Sequence, residues 1–277
     1  NQYLLSTAKC GHSMKRPSLQ STLTTVHRRI RSPKISVHSV KDTTCSGSEY
    51  GGWTYLDRPS LKQATVLSLG LGEDASFDVE LASRYEAQVH IYDPTPRAIK
   101  HFAYITERIG QPSIAPYNRS GQQDPSSYDL RAISSKQLHL VTQAVSDFSG
   151  EAEFFEPRDP SHVSHSLGNI QHSGSRSTPS IRVPVIDICA VFERLQPIIP
   201  TLLKMDIEGA EMQVIPRMLS TGVLPDQVLV EFDLLNFPSR QSTRDFYAIH
   251  AQMQEATYVP FHWDGRSCIS YAREEVL

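Results

Sequence analysis

The chain has 277 residues, 39% of them apolar and 21% charged, enough for one large domain or two small ones. Its net charge of −3 hides an asymmetry: residues 1–41 carry eight Lys/Arg and no Asp/Glu, leaving 19 basic against 30 acidic residues in the remainder. An acidic body excludes the broad cationic face that nucleic acid needs, and no run of about 18 apolar residues exists to span a membrane.

The basic stretch KRPSLQSTLTTVHRRIRSPK is rich in Ser, Thr and Arg. It suits a disordered tail first and an organelle transit peptide second. The expected organisation is a tail over 1–45 and one domain over 46–277. The chain opens on Asn rather than Met, as a piece of a longer protein would, with any signal or anchor upstream. Cys10, Cys45, Cys189 and Cys268 lie too far apart for a CxxC metal or redox pair. Asn118-Arg119-Ser120 is a glycosylation sequon that matters only in a secreted protein.

After a Gly-rich approach, GSEYGGWTYLDRP, apolar runs alternate with helical patterns. Strands are expected at 64–70, 87–93, 138–147, 151–156, 200–206 and 226–233, and 181–195 reads as a strand passing into a helix. Helices are expected up to about Tyr85, over 96–109, over 210–219 and over 241–254. Two polar stretches, 110–136 and 157–180, read as loops. A closing strand pair, 257–263 and 267–273, surrounds the turn Asp264-Gly265. This alternation implies an α/β fold: a mostly parallel sheet, helices on both faces and an antiparallel C-terminal edge strand. In such sheets ligands sit at the carboxyl ends of the strands. The residues there are Gly70, Asp93, Asp147, Asp206 and Asp233.

Gly70-Leu71-Gly72-Glu73-Asp74-Ala75 fits a GxGxxG/A turn between strand and helix, and Asp93 follows Gly72 by 21 residues, where a ribose-binding carboxylate is expected. A pyrophosphate would meet Glu73 and Asp74 at the helix start and be repelled. S-adenosylmethionine, with its sulfonium and ammonium, would be attracted. The same two acids also complement the helix dipole.

LLKMDIEGAEMQVI places Lys204, Asp206, Glu208 and Glu211 in an otherwise core-like segment. Strand parity puts Lys204 and Asp206 on one face, Gly209 permits a sharp turn, and the four polar side chains converge on the mouth of the sheet. The alternative is a solvated strand end with Glu211 exposed.

This segment resembles the signature of the FkbM family of S-adenosylmethionine-dependent methyltransferases, Lys-x-Asp-Ile-Glu-Gly-x-Glu. The resemblance extends to VLSLGLGEDASFD with Asp93, to AVSDFSGEAEFF and to VEFD, over roughly 51–275. It implies a Rossmann-like class I methyltransferase fold and methyl transfer, most often to a hydroxyl oxygen of a small molecule, sugar or lipid. It further implies a donor site at Gly70, Leu71, Gly72, Glu73, Asp93, Val145, Ser146, Asp147 and Asp206. One departure is Ser68, where many methyltransferases carry an acid two residues before the first glycine. Asp206 and Glu208 are the expected orienting or deprotonating groups, with Lys204 holding them or stabilising the oxyanion. Glu231 and His262 are secondary candidates for the base.

Asp159, His162 and His165 form D-x-x-H-x-x-H, a spacing too unspecific for a metal site, and that stretch reads as a polar loop over the mouth. Two competitors stay open: an NAD(P)-binding oxidoreductase, for which no Tyr-x-x-x-Lys pair is present, and a non-catalytic module favoured only by Ser68.

Overall fold

The computed structural model describes residues 33–155, 179–236 and 239–277. Asp159, His162, His165, His172 and the basic residues up to 32 lie outside the described residues.

In chain order the strands are β1 (Thr43–Ser46), β2 (Trp53–Leu56), β3 (Thr65–Leu69), β4 (Gln88–Tyr92), β5 (Leu138–Val141), β6 (Ala144–Ser146), β7 (Gly150–Phe155), β8 (Ser180–Asp187), β9 (Leu202–Met205), β10 (Gln227–Glu231), β11 (Tyr258–Trp263) and β12 (Cys268–Arg273). Five α-helices are described: α1 (Ser76–Tyr85), α2 (Pro96–Glu107), α3 (Ile188–Leu195), α4 (Glu211–Ser220) and α5 (Arg240–Glu255). A seven-stranded sheet runs β11-β12-β10-β9-β3-β4-β5. β10, β9, β3, β4 and β5 are parallel neighbours, and β12 is antiparallel to both β10 and β11.

Every residue of β3 and β9 is buried, as expected of central parallel strands covered on both faces. Alternation divides their side chains between two cores. Leu67, Leu69, Leu203 and Met205 pack with α3, α4 and α5. Val66 and Leu202 pack with α1, α2 and the β1–β2 hairpin. Helices therefore cover both faces. Local signals start the helices where expected. Thr95 caps α2 with Pro96 in its first turn, and Ser239 and Ser242 close a capping box on α5.

Three expectations are corrected. The antiparallel C-terminal strand is not the edge: β12 docks against β10, and the returning hairpin leaves β11 outside it. The single strand expected over 138–147 is two. β5 is the last strand of the large sheet, and the chain leaving it bends away so that β6 pairs with β8, which also pairs with β7. Val145, Ser146 and β8 thus belong to a small three-stranded sheet, with Asp147 just past its first strand. The structure also begins ahead of residue 46. β1 pairs with β2, and the His38 N–H donates to the Pro260 carbonyl at 2.8 Å. The Gln227 side chain fixes this hairpin to the sheet, accepting from Leu56 N at 2.7 Å and donating to Leu56 O at 3.0 Å.

Gly70 ends β3 at φ +87°, and a Cβ there would lie 1.9 Å from the Asp206 carbonyl oxygen. Only glycine permits the two strand ends to approach this closely. Gly110 has nearly the same φ, +85°, but open space around it. Gly70→Ala is expected to lower stability in urea by more than about 3 kcal/mol or to prevent folding, against about 1–2 kcal/mol for Gly110→Ala, which isolates the backbone strain from the clash.

Candidate active site

Parallel strands end together, so the strand order β10-β9-β3-β4 in the sheet sets Glu231, Asp206, Gly70 and Asp93 along one rim, roughly 4.8 Å per strand. The main-chain ladder continues to that rim. Asp206 N donates to Leu69 O at 3.0 Å, Gly70 N to Tyr92 O at 2.9 Å and Asp93 N to Val141 O at 3.1 Å.

Asp93 shapes the glycine turn itself. Its Oδ2 accepts from Leu71 N and Gly72 N, both at 2.9 Å, and its Oδ1 accepts from Thr95 N at 2.8 Å and Thr95 Oγ1 at 2.6 Å. These four bonds fill the acceptor sites of a carboxylate, and the residue is 6% exposed. Asp93 therefore shapes the turn as well as standing at the strand end where a ribose-binding carboxylate is expected. The two acids at the helix start are also engaged. Glu73 pairs with Arg97 at 2.5 Å. Asp74 accepts from Ser48 Oγ at 2.5 Å and Gln123 Nε2 at 3.2 Å through Oδ2, and from Ser76 N at 3.0 Å through Oδ1. They tie the loops at 48–52 and 118–123 to the turn while adding negative potential beside it.

Lys204 is 5% exposed. Its ammonium donates to the Gly70 carbonyl and lies 5.7 Å from the centre of the Trp53 ring. It therefore braces the turn from beneath the sheet rim.

Asp206 is half-buried, and its carboxyl is pushed up to about 7. Burial is the first cause and the Glu231 carboxylate the second, while Lys204 pulls in the opposite direction. Glu208 sits beyond it at φ +54°, followed by Gly209 at φ +100°. A non-glycine residue in the left-handed region costs of order 1 kcal/mol and is characteristic of functional turns. Glu211 is 1% exposed, not solvated: its Oε1 accepts from Ile207 N at 3.2 Å and Gly209 N at 3.1 Å. Burial pushes its carboxyl up to about 8 against the pull of the Gly209 N–H, with Asp233 and Asp206 adding to the rise.

Glu231 accepts from Asn236 Nδ2 and Ser267 Oγ, each at 3.2 Å, and Asp233 from Asn236 Nδ2 at 3.1 Å. His262 is not brought to Asp206. It stands on β11, three strands and about 14 Å away across β12 and β10, with its pKa lowered by burial. Val145, Ser146 and Asp147 are also set apart. Val145 is a core side chain and Ser146 is buried with its hydroxyl on Asp147 at 3.1 Å. Asp147 follows directly on β6, beside Asp187 at the end of β8, whose carboxylate pairs with Arg217 of α4 at 2.8 Å.

Tyr50 is a site residue the sequence reading missed. It is 62% exposed, yet its hydroxyl is pushed up to about 12, first by partial burial and then by Asp206, Glu231, Glu208 and Asp74. Its ring lies on the glycine of the facing loop: a Cβ at Gly121 would fall 2.6 Å from it. The signal was an aromatic residue alone in a glycine-rich loop, SEYGG, with no periodicity to mark it.

Among the described residues no group of three or more His, Cys, Asp or Glu side chains is arranged to hold a metal ion, and no helix is long and apolar enough to cross a membrane. Comparison with known proteins adds two findings. The methyltransferase FkbM domain family matches residues 55–260, which contain the glycine turn, Asp93 and the acidic strand end. Thiamine-phosphate synthase of Salmonella agona (strain SL483) is 28% identical over 145 residues, 52% of this chain and 59% of that protein. The chain thus spans less than two thirds of the curated relative it matches.

Two outcomes follow from the buried acids. Asp93→Ala orphans three main-chain N–H groups and is expected to cost about 3 kcal/mol or more in urea unfolding. Glu211 has a folded-state pKa raised above its unfolded value. Its contribution to stability is complete below the unfolded pKa and is lost as pH rises through about 8. Stability is expected to drop by about 2 kcal/mol between pH 6 and pH 8 from this group, and Glu211→Gln to remove that share of the slope. An unchanged slope would show that Glu211 is ionised and satisfied throughout.

Proposed function

The chain belongs to the FkbM methyltransferase family, and we propose that it uses S-adenosylmethionine to methylate a hydroxyl oxygen of a small-molecule, sugar or lipid acceptor. The observation that carries this reading is the juxtaposition of a glycine turn with a carboxylate-rich rim. Gly70 abuts the Asp206 main chain, and Asp206, Glu208 and Glu231 all act on the Tyr50 hydroxyl above them. A negative rim beside the turn suits a ligand with a sulfonium and an ammonium and disfavours a pyrophosphate.

The residues fit such a donor. The turn 70–72 presents main chain without a side chain at position 70, and Asp206 borders it at the end of the neighbouring strand. S-adenosylmethionine supplies, when bound, a methyl group made electrophilic by the positive sulfur. The protein supplies alignment and proton handling. Asp206, with its pKa raised to about 7, is matched to accept the acceptor hydroxyl's proton near neutral pH. Glu208, presented by its left-handed backbone at the same rim, orients the acceptor, and Tyr50 forms the facing wall. Asp93, Lys204 and Glu211 keep the two turns in place from behind. The fold has the mostly parallel sheet and two helical layers this chemistry uses, which supports a class I methyltransferase arrangement.

Calorimetry distinguishes this reading from its competitor. The purified protein is expected to bind S-adenosylhomocysteine and not NADH; binding of NADH alone would overturn the proposal. In a methyl-transfer assay with an accepted substrate, kcat is expected to rise as Asp206 loses its proton around pH 7. Asp206→Asn is expected to lower kcat by about 10²-fold or more with a smaller effect on donor affinity. Normal turnover in both Asp206→Asn and Glu208→Gln would remove these two from the chemistry.

A further inference from the structure

Ser68 and Lys204 are direct register partners on β3 and β9, and parity turns both side chains toward α1. Ser68 is fully buried and its Oγ makes no well-formed hydrogen bond. Facing them from α1 is Asp78, 1% exposed: the Ser68 hydroxyl interacts with its carboxylate, although Oδ1 makes no well-formed hydrogen bond. A buried carboxylate with an orphaned oxygen is costly unless an opposite charge offsets it. Burial raises the Asp78 carboxyl, and the Lys204 ammonium is the largest influence opposing that rise. Among the described residues no carboxylate lies within 4 Å of that ammonium, so its direct donation is to the Gly70 carbonyl and its counter-charge acts through the buried space between sheet and helix.

We propose that Asp78 is a positioning residue for the glycine turn: from α1 it supplies the negative charge that keeps the Lys204 ammonium buried against the Gly70 carbonyl, in place of a carboxylate at position 68. The proposal rests on the reading of that turn as the donor site. Ser68 is thereby compatible with the site, because the negative charge facing Lys204 comes from α1 and not from β3. An acid at 68 would stand one strand spacing from Lys204 on the same face, close enough to take over the role.

The test is a charge relocation. Asp78→Asn is expected to weaken S-adenosylhomocysteine binding, read by calorimetry on folded protein, by about tenfold, the scale of one lost charge interaction. The double variant Ser68→Asp/Asp78→Asn is expected to recover affinity to within about threefold of the parent. Donor affinity equal to the parent's in Asp78→Asn, or a folded double variant that binds no better than Asp78→Asn, overturns the proposal. If Asp78→Asn does not fold, the double variant decides alone: folding with donor affinity supports the proposal, and failure to fold overturns it. If the parent itself does not bind S-adenosylhomocysteine, the functional reading fails separately. The charge relation is then judged by a urea double-mutant cycle of Asp78→Asn with Lys204→Met, where coupling supports it and additivity overturns it.

Discussion

Four hydrogen bonds to one carboxylate hold the two turns at the centre of the rim together. Asp93 accepts from Leu71 N and Gly72 N on one side and from Thr95 on the other. The first two donors belong to the turn after β3, and the third residue caps α2 after β4. A glycine turn has few side chains with which to hold itself, so its shape must come from outside. Without an acceptor at this point two buried N–H groups would be unpaired, and the turn would reorganise to reach water. The rest of the rim is built around this fixed element.

Beneath the turn a second support acts on its carbonyl. Lys204 approaches from β9, flanked by Trp53 of the β1–β2 hairpin. The hairpin is in turn anchored by Gln227 of β10, so a residue outside the central sheet helps to shape the turn within it. Beside it Glu211 ties down the loop 207–209. The polar residues of LLKMDIEGAEMQVI thus divide by depth. Lys204 and Glu211 are buried supports, while Asp206 and Glu208 border the open rim.

This division has an electrostatic consequence. Several carboxylates share a small region, and burial first, with mutual repulsion adding to it, raises the pKa values of Asp206 and Glu211. The supporting group is raised because it is sequestered. The rim group is raised by burial and by the neighbouring Glu231 carboxylate, although the residue as a whole is only half-buried.

Local pattern determined much of this protein. Apolar runs of strand length separated by capped helices placed most elements of the large sheet, because burial on both faces of a parallel strand leaves a continuous apolar signature. The turn 70–75, Asp93 and the 204–211 segment were legible because glycine and charge are conspicuous among core residues. What the sequence could not decide was which atoms each charge would meet. Asp93 accepts from Leu71, Gly72 and Thr95, and no spacing rule states that. Val145 and Asp147 left the rim because an edge strand is free to bend away and pair elsewhere. His262 lies apart because β12 inserts between β10 and β11. Asp78 and Tyr50 acquired their surroundings only when α1 packed on the sheet and the loop 47–52 folded against 118–123. Sequence spacing specifies contacts along a strand or helix, while contacts between layers depend on how the layers come together, and most of the site's supports are of that second kind.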